Sequence, residues 1–199
     1  MEQQQSKAAL VLVDVQKAFL EWEADGKRRS NPEAVANIAT LLSAFRRDHR
    51  PVFHIRHASR KADSALHPEK SGYAVIDEAR EIDGETVIVK SVNSGFIGTD
   101  LEDRLRGQGI GTVIIAGITT NHCVETTTRM AGNLGFDARL VSDACYTFDR
   151  TGYNGRIETA ESIHDMTLSN LNGEFATIET TESLLAALDA SAAADGGPQ

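Results

Sequence analysis

Three side chains in this sequence have types and positions suited to covalent chemistry: Cys123, Asp14 and Lys90. Cys123 lies in TVIIAGITTNHCVETTTRMAGNL, residues 112 to 134, which opens as a β-branched run and continues with apolar or small residues at helical spacing. A cysteine there falls where a strand turns into a helix. Helix starts leave unpaired N–H groups and a positive dipole end, which favour a thiolate and supply donors to an oxyanion. A lone cysteine at such a junction is more often a small buried hydrophobe, so the other two residues carry the weight. Asp14 ends the apolar run ALVLV and can accept the thiol proton, while Lys90 ends TVIVK and can supply a positive field. Attack on an amide carbonyl would make an oxyanion, for which backbone N–H groups at the turn before Cys123 and at Cys123 itself are the available donors. The chemistry is acyl transfer from an amide to sulfur, then hydrolysis of the thioester.

Such residues need a scaffold that brings strand ends together. Residues 8 to 13 form a near-continuous apolar run, the mark of a strand buried on both faces. Phe19, Leu20 and Trp22 fall in an expected loop, and Asn31 and Pro32 open a helix with Val35, Ile38, Leu41, Leu42 and Phe45 on one face. A second strand holds Val52, Phe53 and Ile55 and ends near His57. The polar stretch from Ser59 to Gly72 is too long for a simple connection. An acidic helix over 75–80, the strand Thr86 to Val89, a Thr99-capped helix and the central strand and helix follow. The fifth strand is expected over 138–141, then a turn-rich loop over 146–155, a helix over 156–171, a short strand over 175–178 and a last helix over 181–188.

Alternation of strand and helix predicts an α/β three-layer sandwich with a mostly parallel six-stranded sheet, order 3-2-1-4-5-6. Ligands of such sheets bind at the carboxyl ends of the strands, where Asp14, His57, Lys90 and Cys123 all fall. In that order Lys90 lies two strands from Asp14 and must reach across the end of the second.

The 199 residues suit one domain over 1–190, with a disordered tail over 191–199. Neither a secretory leader nor a membrane-length apolar run is apparent. Two cysteines, Cys123 and Cys145, in a chain of this size point to reduced thiols and a cytoplasmic protein. A formal charge of −9 with no basic block beyond Lys27 to Arg29 argues against nucleic acid and anionic membranes as partners.

The segments ALVLVDVQKAF, VIVKSVNSGFIGTDL and AGITTNHCVETTTRMAGNLGFDARLVSDA, in this order and spacing, resemble the isochorismatase-like cysteine hydrolases, a family that includes nicotinamidases. The resemblance implies that Asp14, Lys90 and Cys123 are a catalytic triad. It also implies a non-proline cis peptide between Ile118 and Thr119, with the amides of Thr119 and Cys123 forming the oxyanion hole. Phe19 and Phe96 are implied as pocket wall, to which loop position adds Trp22 and strand-end position adds His57. Family members acting on isochorismate need no cysteine at the nucleophile position, so Cys123 favours C–N over vinyl-ether cleavage. Nicotinamidases bind a metal through an aspartate and histidines near the second strand. His54, His57 and His67 occur here without that aspartate pattern, so neither metal nor other cofactor is expected. The resemblance further implies a small-molecule amide substrate and a homo-oligomer, dimer or tetramer.

Two other classes compete. A phospho-receiver would want an acidic pair after the first strand and a phosphoacceptor after the third, but Val15 and Gln16 follow Asp14 and Lys90 ends the third strand. A catalytically silent binding member of the same fold is the other, and the intact set of three speaks against it.

Overall fold

The structure is a computed structural model that describes residues 7–195. Six parallel strands form the central sheet in the order β3-β2-β1-β4-β5-β8. They are β1 (Lys7–Val13), β2 (Val52–His57), β3 (Thr86–Lys90), β4 (Ile110–Ile118), β5 (Asp137–Tyr146) and β8 (Thr177–Glu179). The expected order holds, β8 being the sixth strand of the sheet. A separate antiparallel ribbon joins β6 (Arg150–Thr151) to β7 (Ile157–Glu158).

Right-handed crossovers dictate where the helices go. The chain steps from β1 to β2 in one direction through α2 (Ala34–Arg47), and from β3 outward through β4, β5 and β8 in the other, using α3 (Leu101–Gly107), α4 (Glu125–Asn133) and α5 (Ala160–Leu171). These two sets therefore cover opposite faces, and α6 (Thr181–Asp195) packs beside α2. Ile38, Leu41, Leu42 and Phe45 of α2 are fully buried against the sheet, as their helical spacing requires. The five residues Ala9 to Val13 of β1, at the centre of the sheet, are likewise buried on both faces. No helix among the described residues is long and apolar enough to cross a membrane.

Several boundaries differ from expectation for physical reasons. Phe19, Leu20 and Trp22 lie not in a loop but in α1 (Ala18–Ala24), whose sequence AFLEWEA is rich in good helix formers and buries Ala18 and Phe19. The acidic helix over 75–80 is a single 3₁₀ turn at Asp77–Ala79. Ser142 and Asp143 read as a strand end, yet β5 continues to Tyr146 because tertiary partners satisfy them. Ser142 Oγ donates to Glu179 O (2.9 Å), and Asp143 Oδ1 accepts from the N–H and hydroxyl of Thr181 (both 2.8 Å). The helix expected from Arg156 begins at Ala160, capped by Thr159, whose hydroxyl accepts from Ser162 N. The last helix continues past Leu188 to Asp195, so the tail expected over 191–199 is helical in its first five residues; 196–199 lie outside the described residues.

One glycine is required for the sheet to close next to Asp14. Gly117 of β4 pairs with Val13 of β1 at φ +141°, and a Cβ there would stand 2.0 Å from Val13 O. No other residue lets the two strands approach so closely at the end where the carboxylate emerges.

Candidate active site

Asp14 follows the last residue of β1 and takes a left-handed conformation, φ 53°, that turns the chain out of the sheet. Its N–H still bonds Ile55 O of β2 at 2.9 Å, so the side chain is held over the strand ends. Lys90 is the last residue of β3 and pairs in register with His57, the last of β2. The reach across β2 is made by the lysine stem. Lys90 Nζ donates to Asp14 Oδ2 at 2.7 Å and to His57 Nδ1 at 3.1 Å, and the side chains of the ion pair are 0% and 1% exposed. His57 thus has an unprotonated Nδ1, set by the ammonium. Its backbone is fixed by Gln16, whose Oε1 accepts from His57 N (2.8 Å) and whose Nε2 donates to Tyr73 O (2.9 Å).

Cys123 does not sit in the first turn of α4. It lies just before it, in a π-helical turn over Thr120–Val124 that follows β4, and the Ile118–Thr119 peptide that leads into this turn is cis. A π turn widens the backbone and is common at functional sites. The half-buried Sγ, a carboxylate oxygen of Asp14 and a ring nitrogen of His57 lie within 4.8 Å of one another. Among the described residues, no nitrogen or oxygen donor bonds the buried Asp14 Oδ1. The Cys123 thiol hydrogen-bonds to this carboxylate, an arrangement in which a carboxylate is able to take the thiol proton.

The electrostatics correct one expectation. Burial, then the Asp14 charge, push the Cys123 thiol up to about 12 against the opposing pull of Lys90. At rest the sulfur is a thiol, not the anion that a helix start alone would favour. Burial likewise raises Asp14, while the Lys90 ammonium draws it down. His57 is lowered by burial and by Lys90, hence neutral. Asp14, His57 and Cys123 could in composition form a metal donor set. Lys90 Nζ, bonded to two of the three, already places a cation there, and a divalent ion would have to face it.

The pocket-wall residues separate into two groups. Phe19 and Trp22 of α1 meet edge to face at 5.1 Å, and both contact Phe148, which stacks on Phe19 at 6.4 Å and meets Trp22 edge to face at 5.6 Å. Tyr146, at the end of β5 and in register with Ile118, joins them at 5.6 Å from Phe148. This aromatic wall therefore stands over the ends of β1 and β5, on either side of the turn that carries Cys123. Phe96 is not part of it: its ring stacks on Phe136 at 6.0 Å, at the far end of α4. His54 faces Glu85 at the start of β3 (2.8 Å) and His67 accepts from Glu69 N (3.3 Å), so neither stands with His57. Phe148 fell inside the aromatic loop legible in the sequence; Gln16 gave no signal. A cavity of about 340 Å³ lies where β2 and β3 begin, lined by residues such as Arg46, Arg50, Phe53 and Glu85, at the opposite end of the sheet from Cys123.

Comparison with known proteins bears on this geometry. The family model for the isochorismatase domain matches residues 8–183. The chain is 45% identical over 184 residues to the isochorismatase family protein YrdC of Bacillus subtilis, covering 91% of this chain and 96% of that one. It is 30% identical over 182 residues to nicotinamidase 3 of Arabidopsis thaliana, covering 85% and 82%. The crystal structure of an isochorismatase-family protein from Chromobacterium violaceum superposes with a TM-score of 0.89 at 40% identity, covering 96% of this chain and 97% of that one.

Proposed function

Since the chain belongs to the isochorismatase family and is a hydrolase, we propose that it cleaves a C–N bond of a small amide or ureido compound through a thioester on Cys123. The observation that carries this reading is the buried Asp14 carboxylate against the Cys123 thiol, with its Oδ2 bound to Lys90 and its Oδ1 free of any nitrogen or oxygen donor. One oxygen anchors the base while the other stays free to work. The name of the Arabidopsis relative, a nicotinamidase, supports an amide as the substrate class.

The steps follow from the protonation states. A thiol at about 12 is a poor nucleophile at neutral pH, so its proton leaves as the S–C bond forms, passing to Asp14 Oδ1. Lys90 keeps the carboxylate anionic until then and stabilises the charge that shifts toward sulfur. The carbonyl oxygen becomes an oxyanion within reach of the backbone amides of Thr119 and Cys123. Asp14 returns its proton to the leaving nitrogen as the C–N bond breaks. Water then attacks the thioester; Asp14 takes its proton and passes it to the departing sulfur, which restores the resting thiol. Of the cluster Phe19, Trp22, Tyr146 and Phe148, the partly exposed Trp22 is the ring able to meet a substrate, the other three being buried behind it.

The test is ammonia release from a panel of small amides and ureido compounds. Cys123→Ala is expected to lower turnover of an accepted compound by at least about 10³-fold while thermal unfolding stays close to wild type. Retained turnover in that variant would mean a different nucleophile.

A further inference from the structure

Two buried histidines among the described residues take no part in the mechanism, His54, which is bound to Glu85 at the far end of the sheet, and His164. His164 of α5 is 5% exposed, and its ring joins two parts of the chain that meet only here. Nδ1 lies 2.9 Å from the hydroxyl of Thr120, the first residue of the π turn that carries Cys123, and Thr120 is wholly buried. Nε2 lies 3.3 Å from Asn31 Nδ2. Both hydrogens of that amide go instead to carbonyls of β5, Ser142 O (3.0 Å) and Cys145 O (2.6 Å), within and at the end of its irregular stretch. Asn31 reaches them from a left-handed backbone conformation, φ 45°.

These contacts fix the tautomer. Two carbonyl acceptors make the Asn31 atom a nitrogen, so it cannot accept from the ring, and Nε2 must be the unprotonated position. The ring proton is then on Nδ1 and is donated to Thr120 Oγ1. Of the neighbouring residues, Asn121 Oδ1 accepts from the Thr147 hydroxyl at 2.6 Å, and Thr119 Oγ1 meets His122 Nδ1 at 3.0 Å, where His122 is exposed and bound to the exposed Arg150. Water competes for that contact but not for the one to Thr120. The bond to His164, with both partners buried, is thus one of two firm side-chain attachments of the turn to the body of the protein, beside that of Asn121 to Thr147.

We propose that His164 is a positioning residue for hydrolysis: by donating from Nδ1 to Thr120 Oγ1 it holds the π turn so that the Cys123 sulfur faces Asp14 and the Thr119 and Cys123 amides face the developing oxyanion. The proposal rests on the reading of Cys123 as the nucleophile, though the bond itself can be tested without turnover. His164 touches neither the sulfur nor Asp14; it acts through Thr120. A displacement of the turn by a fraction of an ångström is enough to cost rate without abolishing binding.

The experiment compares His164→Leu, His164→Asn, Thr120→Val and the His164→Leu/Thr120→Val double variant with wild type in the full chain. It uses two readouts: kcat and KM on an accepted amide, and hydrogen exchange of the amides over 119–124. Each variant that removes the bond is expected to lower kcat roughly tenfold or more, with KM within about threefold, and to speed exchange over 119–124. The double variant should be no worse than the poorer single one, because both remove the same bond. His164→Asn, which keeps a donor near the Nδ1 position, should recover most of both. Unchanged kcat and exchange in Thr120→Val, or losses that multiply in the double variant, would overturn the proposal. Should His164→Leu fail to fold, Thr120→Val and His164→Asn still decide it. If wild type hydrolyses no amide or ureido compound, the proposed C–N cleavage fails, and exchange alone then settles whether the bond holds the turn.

Discussion

Lys90 delivers its ammonium across the end of an intervening strand into a site from which water is excluded, and the consequences are visible in each neighbour. It draws Asp14 down against burial, keeps His57 neutral and opposes the rise of the Cys123 thiol. Replacing Lys90 by Met therefore has signs that can be worked out. With the ammonium gone, Asp14 titrates higher; because it must be ionised to take the thiol proton, the acid limb of kcat/KM moves to higher pH. The thiol also rises, so iodoacetamide labelling of Cys123 at a fixed pH becomes slower. An uncompensated carboxylate in a buried site costs about 3–5 kcal/mol, which urea unfolding at pH 7 would read, less whatever protonation of Asp14 recovers. An acid limb that stays in place after the substitution would mean that the base is not Asp14.

At the scale of elements, Glu85 joins three of them at the far end of the sheet. Standing just before β3, its carboxylate accepts from Arg46 of α2 (2.7 and 2.9 Å), from His54 of β2 (2.8 Å) and from Ile82 N (3.0 Å). Burial works to raise Glu85, but the hydrogen bonds from Arg46, Ile82 and His54 outweigh it and hold it down at about 2. A carboxyl lowered in the folded state contributes stability above its unfolded value, and that stability is lost as pH falls toward about 2. Glu85→Gln is expected to cost about 1–2 kcal/mol at pH 7, discounted for partial solvent screening. The difference from wild type should shrink between pH 4.5 and pH 2, as urea melts at pH 7 and pH 3 would show. An equal loss at both pH values would assign the role of Glu85 to packing rather than charge. None of this clamp was legible in the sequence, where His54 reads as a core strand residue and Glu85 as one acid among many.

For the molecule as a whole, the formal charge of −9 sets a field that substrates meet before any single side chain. A neutral amide is indifferent to it, whereas an anionic ureido acid is repelled. Raising ionic strength from roughly 0.01 to 0.15 M shortens the screening length from about 30 to about 8 Å. Measured over that range, kcat/KM is expected to rise severalfold for anionic substrates and to stay flat for neutral ones. A fall with salt for an anionic compound would instead point to a local cationic site that outweighs the net charge.

What could be read from the chain alone was whatever depends on near neighbours in sequence. Apolar runs marked the six strands, their alternation with helices set the parallel sheet, and the abrupt ends of those runs put Asp14, Lys90 and Cys123 at one edge of it. Pattern failed where a partner from elsewhere decides the local structure. Ser142 and Asp143 look like a strand end until Glu179 O and Thr181 satisfy them. The protonation state of the sulfur was beyond sequence for the same reason. A helix start argues for a thiolate, but burial and a carboxylate from a segment more than a hundred residues away argue harder, and only the folded chain brings them together. Which residues could react was thus a local property of the sequence; in what charge state they wait, and which histidine holds them in place, was decided by distances that exist only in three dimensions.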